Sequence, residues 1–406
     1  MRVAMVSEHA NPLSTLGGTD AGGQNVHVAE LARALARQGT EVVVHTRRQS
    51  PHEPPVVQMA DGVLVNHVDA GPPEAIPKDH LVPYMQPFAR HLAQSWSAER
   101  PDVVHAHFWM SGWAALAAAE PLGLPVVQTF HALGNVKRRH QGAKDTSPPE
   151  RASSERSIIE RVPRIIATCT DEVFELTRLG ADRRRITVVP CGVDTDTFSP
   201  LVAATSSYPR RRRHRVVVVS RLVERKGIGN VIEALAAVPD TELVVAGGAP
   251  EEELADDPEV ARLHDLARLY QVSDRVRFLG SVDRRAVPGV LRSADVVVCA
   301  PWYEPFGMVV LEAQACGVPV IATAVGGHLD TIVDGVTGLL IPPRAPTILA
   351  LALNWLLARP ATRTAMGQAA AERARDRYRW DRIARATGRA YQRVTLPRPL
   401  PALSPR

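Results

Sequence analysis

Cysteine is scarce: Cys169, Cys191, Cys299 and Cys316 are the only four in 406 residues, and none forms a C-x-x-C pair. That spacing indicates neither a disulfide framework nor a thiolate metal knuckle. Three of the four stand beside apolar runs, where a reduced thiol packs as a small hydrophobe, so a reducing cytoplasmic setting is expected. No stretch reaches the roughly 18 uncharged apolar residues that a membrane span needs. The N-terminal MRVAMVSEHA turns polar too soon for a secretory leader. Attachment at the inner face of a membrane stays open, because a basic patch or one amphipathic helix suffices for it. A large excess of one charge is also missing. Lys and Arg number 48 against 43 Asp and Glu, a formal +5, and the two signs are interspersed, which argues against nucleic acid as a partner. The exception is Arg210–Arg213 within YPRRRRHR, which reads as a basic linker. The G-x-G-x-x-G spacing of dinucleotide loops is absent as well, so no dehydrogenase-type cofactor is expected.

What is present suffices for two cores, since 406 residues that are 45% hydrophobic exceed what one core usually supports. An apolar run at Val3–Val6 leads into the glycine-rich loop Gly17–Gly23. Val28, Leu31, Ala32 and Leu35 then recur at helical spacing, Gly39 closes the helix, and Glu41–Thr46 supplies the next strand. This opening β-α-β unit implies a parallel sheet. Further strands are expected at 63–68, 103–107, 126–130, 165–169 and 186–190. After a polar, proline-bearing stretch the pattern restarts with the β-branched run Val216–Val219 and continues at 243–246, 276–279, 296–299, 320–322 and 339–341. Helical patterns lie between, among them Met308–Ala315. The fold class is therefore α/β: residues 1–198 form one domain, 199–214 a basic linker and 215–375 a second domain. Helical spacing continues to 395, and a proline-rich tail follows at 396–406.

The strongest chemical signal is PWYEPFGMVVLEAQACGVPVIATAVGGHL, residues 301–329. A loop after an apolar strand carries Glu304 and opens a helix that bears Glu312, so the two carboxylates sit at different levels and suit an elongated ligand. Phe306, Gly307, Met308 and Val309 fall where a helix leaves backbone N–H groups without intrahelical partners, which together with the dipole favours a diphosphate. Taken alone, Glu304 and Glu312 are ordinary helix-start carboxylates. The second glycine turn, Gly326-Gly327-His328, adds weight because it can approach the same ligand. Arg221 and Lys226 in SRLVERKG follow the Val216–Val219 strand, at the carboxyl edge where open α/β sheets bind ligands. Two fixed cations there can offset the charge of a departing diphosphate in place of a divalent metal. Gly22 and Gly23 close the first-domain loop, where amides can face a phosphate. His105 and His107 share one face of a strand, a spacing metal sites use, but no neighbouring ligand completes a set, and no metal is expected. His131 follows the 126–130 strand, again at a carboxyl edge.

With these residues in view the chain resembles a family 4 retaining glycosyltransferase of the GT-B fold, over nearly its whole length. GGTDAGGQNVHVAELARAL, HAHFW at 105–109, TFHAL at 129–133 and SRLVERKG at 220–227 resemble the sucrose-synthase-like branch. That branch holds the sucrose-phosphate synthases and the D-inositol-3-phosphate glycosyltransferases, and the latter match best. The resemblance implies two Rossmann-like domains facing a deep cleft, with a nucleoside-diphosphate sugar held mainly by the second domain and the acceptor mainly by the first. The helix at 376–395 would cross back to the first domain. It implies ribose hydroxyls on Glu312, a sugar hydroxyl on Glu304, and the diphosphate on Arg221, Lys226, Gly22, Gly23 and the amides near Phe306–Val309. His131 would lie over the donor sugar, and retention would proceed by same-face attack assisted by the leaving phosphate, without a protein base. The Lys, Tyr, Thr and Arg that grip acceptor phosphate in the inositol-phosphate enzymes align with Lys78, Phe108, Ala132 and Arg151. Two hydroxyls are therefore missing, at about 1 kcal/mol or more each, which counts against inositol phosphate. Asn25 is a further candidate acceptor contact. A hexose would pass to a small polyol, sugar, sugar phosphate or glycolipid, without cofactor, in a monomer or homodimer. The rivals are an epimerase or phosphorylase on the same fold, and a non-catalytic binder of sugars or polyanions.

Overall fold

The computed structural model describes residues 1–14, 22–200 and 208–395. Most of the Gly17–Gly23 loop, part of the expected linker and the tail at 396–406 lie outside the described residues. The alternation of apolar strands and amphipathic helices folds as two parallel sheets. The first contains β1 (Arg2–Val6), β2 (Glu41–Arg47), β3 (Val56–Ala60), β4 (Val63–Val68), β5 (Val103–His107), β6 (Val126–Thr129), β7 (Arg164–Ala167) and β8 (Ile186–Val188). Its strand order is β3-β4-β2-β1-β5-β6-β7-β8. All pairs are parallel except β3 with β4. β3 is not among the expected strands, because it is only partly buried and lacks an apolar run. The Asp61-Gly62 turn after it, with Gly62 at φ +74°, is the hairpin signal that marks it.

The second sheet contains β9 (His214–Val219), β10 (Thr241–Ala246), β11 (Val276–Phe278), β12 (Val296–Cys299), β13 (Val320–Thr323) and β14 (Gly338–Ile341). Its order is β11-β10-β9-β12-β13-β14, and every pair is parallel. β9 and β12 are adjacent but not consecutive, as are β1 and β5, so each sheet reverses direction there. The crevice outside the carboxyl ends at such a reversal is where doubly wound sheets hold ligands. Arg221–Lys226 follows β9 and Pro301–Glu304 follows β12. Ser7–Asn11 follows β1 and Phe108 follows β5.

One apolar cluster runs through both halves, from Val28 and Leu31 by way of Cys191 and Phe198 to Val310, Trp380 and Tyr391. The return to the first domain is made by the helix after Tyr378, while the helix before it packs on the second domain. Helix Pro360–Arg377 ends at Tyr378, whose hydroxyl donates to the Asp330 carbonyl at 3.0 Å and whose own carbonyl accepts from the Val193 amide at 2.7 Å. Helix Trp380–Thr395 then packs on helix Gly23–Ala36. Gly192 makes room for this crossing, since a Cβ there would stand 2.4 Å from the Trp380 indole. The described part of the basic run is pinned down: Arg210 pairs with Asp295 at 2.7 Å, Arg212 pairs with Asp274, and buried Arg215 pairs with Glu242 at 2.8 Å. Guanidinium groups engaged in this way make a poor polyanion patch. Among the described residues no helix is long and apolar enough to cross a membrane.

Candidate active site

Two helix N-termini from opposite domains converge on the cleft. Helix Gly23–Ala36 begins after Gly22, and helix Met308–Ala315 begins after Gly307. A Cβ on Gly23 would stand 3.4 Å from the Met308 sulfur, so the two positive dipole ends face each other across a narrow gap. Gly307 adopts φ +87°, and a side chain there would lie 2.6 Å from the His328 ring. Only glycine lets His328 pack beneath this helix start. His328 is buried, with Nδ1 2.9 Å from the Thr323 carbonyl.

Lys226 Nζ donates to Glu304 Oε2, and both side chains are largely buried. Burial opposes ionisation of Glu304, yet Lys226, with His328 and Arg225, outweighs it and holds the carboxyl down at about 2. Glu312 meets a different fate. Burial pushes its carboxyl up, against the opposing pull of Arg284, whose Nη1 lies 2.5 Å from Glu312 Oε1. Arg284 in turn covers the Phe198 ring at 4.8 Å. Arg221 is exposed at the carboxyl end of β9, and Arg225 lies over the Tyr303 ring at 5.2 Å.

The facing wall of the first domain carries imidazoles instead of carboxylates. His131 and Phe108 hold positive φ of 59° and 81° just beyond β6 and β5, conformations that cost bulky residues energy and gather at functional sites. His107 Nδ1 lies 2.9 Å from His131 Nε2. Burial, reinforced by neighbouring imidazoles, keeps both rings neutral, well below the usual histidine range. Burial likewise lowers His27 to about 4, and with His27 beside it His105 to about 3. His105 bonds the Tyr391 hydroxyl of the crossing helix at 2.7 Å. A cavity of about 230 Å³ separates the walls, lined by His131, Leu133 and His140 on one side and Tyr303, Glu304 and Gly326 on the other. The domains touch across it through Gln141 and the Tyr303 hydroxyl at 2.6 Å and through Lys144 and Glu224 at 2.6 Å.

The acceptor-side candidates form a second group. Arg151 lies 5.0 Å over the Phe108 ring, donates to Glu155 at 2.8 Å and to the Ala132 carbonyl at 2.8 Å. Its Nη1 also reaches Ser147 at 3.2 Å, and Ser147 accepts from Lys137, 3.8 Å from Asp79. Through this chain the Lys78–His80 turn is tied to Arg151 and Phe108. Asn25 stands apart, 4% exposed. Its Oδ1 accepts from Gly22 N at 3.1 Å and its Nδ2 donates to the Asn11 carbonyl at 3.0 Å, so its amide shapes the helix start. The D-x-D spacing at Asp194–Asp196 is a turn in which Asp194 accepts from the Asp196 amide at 3.0 Å. Sequence reasoning missed Arg284, His27 and Cys191. Arg284 follows β11 at a carboxyl edge, a position that could have flagged it, whereas His27 and Cys191 carry no local signal.

Two doubly wound sheets facing a cleft, a chain end that crosses back, and converging helix starts define a glycosyltransferase of the GT-B class. Residues 21–197 match the Glycosyltransferase Family 4 model and residues 207–373 the Glycosyl transferases group 1 model. The D-inositol 3-phosphate glycosyltransferase of Xylanimonas cellulosilytica is 38% identical over 417 residues, covering 98% of each chain. Sucrose-phosphate synthase from Thermosynechococcus elongatus superposes with a TM-score of 0.89 at 31% identity, covering 97% of this chain and 98% of that one. HepE from Anabaena, in complex with UDP and glucose, shares the fold with a TM-score of 0.78 at 20% identity, over 97% of this chain and 100% of that one. The chain belongs to glycosyltransferase family 4, with the GT-B fold.

Proposed function

We propose that the protein transfers a hexose, with retention of configuration and without a metal, from a nucleoside-diphosphate sugar to a hydroxyl of a small polyol, sugar, sugar phosphate or glycolipid. The observation that carries this is the convergence of the Gly23 and Met308 helix starts beside the Lys226–Glu304 pair. Amides from both domains and cations from the second meet there, at the place where a diphosphate would gain charge as it leaves. Glu304, ionised under all ordinary conditions, accepts from a sugar hydroxyl. Glu312 with Arg284 takes the ribose end, Arg221 and Lys226 the phosphates, and Gly22, Gly23 and the Phe306–Val309 amides the remaining phosphate oxygens. His131, neutral, borders the sugar. The bond from the sugar anomeric carbon to the phosphate oxygen breaks while the acceptor oxygen bonds to the same face. The acceptor proton passes to the leaving phosphate, so no protein base is required. Residues 1–198 then form the acceptor side and 215–375 the donor side.

Relatives named for D-inositol 3-phosphate and sucrose phosphate support phosphorylated polyols and sugars as the first acceptors to try. Arg151, over the Phe108 ring, and Lys78 of the Lys78–His80 turn are the cations proposed to meet such a phosphate. HepE, solved with UDP and glucose, puts UDP-sugars first in the donor series. The test is a thermal-shift panel of UDP-, GDP- and ADP-sugars with matched nucleotides, followed by nucleoside diphosphate release with and without acceptor. A ligand that binds only the folded state raises apparent stability. One nucleotide series should stand out, and release should require acceptor. No shift with any series would overturn the donor site, and consumption of donor alone would point to an epimerase. EDTA should leave the rate unchanged, whereas a large loss restored by Mg²⁺ would overturn metal independence.

A further inference from the structure

Four segments distant in sequence bring three imidazoles and a thiol together behind the sugar-facing wall. One ring nitrogen from each of His27, His107 and His131 lies within 4.8 Å of the other two. His27 Nδ1 is 3.2 Å from the sulfur of Cys191, a free and buried thiol. His107 is fully buried, and its Nε2 has no hydrogen-bond partner. A buried polar nitrogen left in that state is destabilising, and a rigid enzyme wall retains such a group where another role needs it. The four elements that supply these side chains, helix Gly23–Ala36, β5, the turn after β6 and the strand-like segment after β8, are fixed by the sheet and by the Trp380 indole, 5.5 Å from the His27 ring.

The ligand types select the ion. Mg²⁺ and Ca²⁺ demand oxygen atoms, and the cluster offers nitrogen and sulfur. Imidazole with thiolate suits Zn²⁺, Co²⁺ and their neighbours. In a tetrahedral centre with Zn–N of about 2.0–2.1 Å, nitrogen atoms stand about 3.4 Å apart. The three nitrogen atoms therefore need shifts of only an ångström or so, with the His107–His131 hydrogen bond given up, while the Cys191 sulfur, beside His27 but outside that group, must move further. We infer that His27, His107 and His131, with Cys191 as a fourth ligand, form a site for a Zn²⁺-class divalent cation whose occupation inhibits sugar transfer. The inhibitory half rests on the proposed place of His131 against the donor sugar, because the metal turns that ring away. The binding half does not.

The experiment titrates the full-length, metal-free protein with Co²⁺ and follows visible absorption. It then measures transfer with Zn²⁺ or Mg²⁺ added. One equivalent of Co²⁺ should give the strong visible bands of a tetrahedral centre, with a thiolate charge-transfer band that Cys191→Ser removes while the visible bands persist. His27→Asn should weaken Co²⁺ binding at least tenfold and leave metal-free turnover within about twofold of wild type. Zn²⁺ should inhibit the wild type reversibly at concentrations at which Mg²⁺ does nothing, and His27→Asn should resist it. Absence of one-to-one Co²⁺ uptake, or uptake unchanged in His27→Asn, overturns the site. Uptake with transfer unaffected by Zn²⁺ overturns the inhibitory half alone. Because absorption needs no turnover, a protein inactive with every sugar nucleotide still reports on the site, and the two failures stay distinct.

Discussion

The two walls of the cleft solve the problem of burying polar groups in opposite ways. The first domain backs its side, behind His131 at the cavity, with His27, His105 and His107, all held neutral by burial. The second domain keeps charge in its wall and neutralises it pairwise, Lys226 with Glu304 and Arg284 with Glu312. Under the proposed reaction only His131 of these rings borders the sugar, as a neutral hydrogen-bonding group, and the others support it from behind. Paired charges give a fixed field that answers a diphosphate once it arrives. The pairs themselves also differ. Glu304 has Lys226, His328 and Arg225 around it and drops to about 2, whereas Glu312 has Arg284 alone and is pushed up by burial. One nine-residue motif thus contains a permanent carboxylate and one that ionises reluctantly.

The largest effect should come from breaking the charged wall. Lys226→Ala and Glu304→Ala should each lower kcat by about a hundredfold or more, the scale of losing a preorganised charge contact. Each should retain its circular dichroism spectrum, with Lys226→Ala also losing stability because a buried carboxylate is left unpaired. Near-normal rates in either variant would remove the charged wall from the reaction.

Acid titration sharpens the contrast between the two glutamates. Because the folded Glu304 carboxyl sits at about 2 against an ordinary 4.5, its contribution is fully present above pH 4.5 and fades as the pH falls through 2. The size is on the order of 3 kcal/mol. Chemical denaturation of Glu304→Gln should therefore trail wild type most above pH 4.5 and converge with it toward pH 2. For Glu312 the sign reverses. Burial raises its folded pKa, so wild-type stability falls as pH climbs past the ordinary carboxylate range, and Glu312→Gln should gain on wild type there. Parallel curves for the two variants would break the comparison.

A smaller effect tests where the walls meet. A Cβ at Gly23 makes only an ordinary contact with Met308, so Gly23→Ala should fold normally. The added methyl occupies the gap between the two helix starts, and KM for the sugar nucleotide should rise about tenfold, close to 1.4 kcal/mol. KM for the acceptor should move little. A rise confined to acceptor KM would place the diphosphate elsewhere.

The sequence makes the strands and the charged wall legible for a physical reason. Strands buried on both faces appear as runs such as Val216–Val219, and Glu304, Glu312, Arg221 and Lys226 cluster within short segments at carboxyl edges. The histidine wall is not legible. His105 and His107 show only that they share a strand face, and their neighbours His27, His131 and Cys191 arrive from loops and helices set by tertiary packing. β3 escaped because it is a partly buried edge strand, and the break at Tyr378 because no Gly or Pro marks it. For Asn25 the sequence position suits a ligand contact, and the structure adds the capping of the helix start, which the sequence did not indicate.

The smallest predicted effect concerns how the crossing helix is joined to that hidden wall. The Tyr391 hydroxyl and His105 Nδ1 lie 2.7 Å apart in a fully buried setting, and His105 Nε2 lies 2.9 Å from Thr129 Oγ1. Tyr391→Phe removes the hydroxyl and leaves a solvated route to neither ring nitrogen, a loss of about 1 kcal/mol of stability. The unfolding midpoint should fall accordingly, while KM for the donor stays within about twofold, because His105 is buried against Tyr391 and Thr129, outside the cavity lining, and acts on the cleft only through its neighbours. A donor KM that rises more than the midpoint falls would mean that the crossing helix sets the distance between the walls.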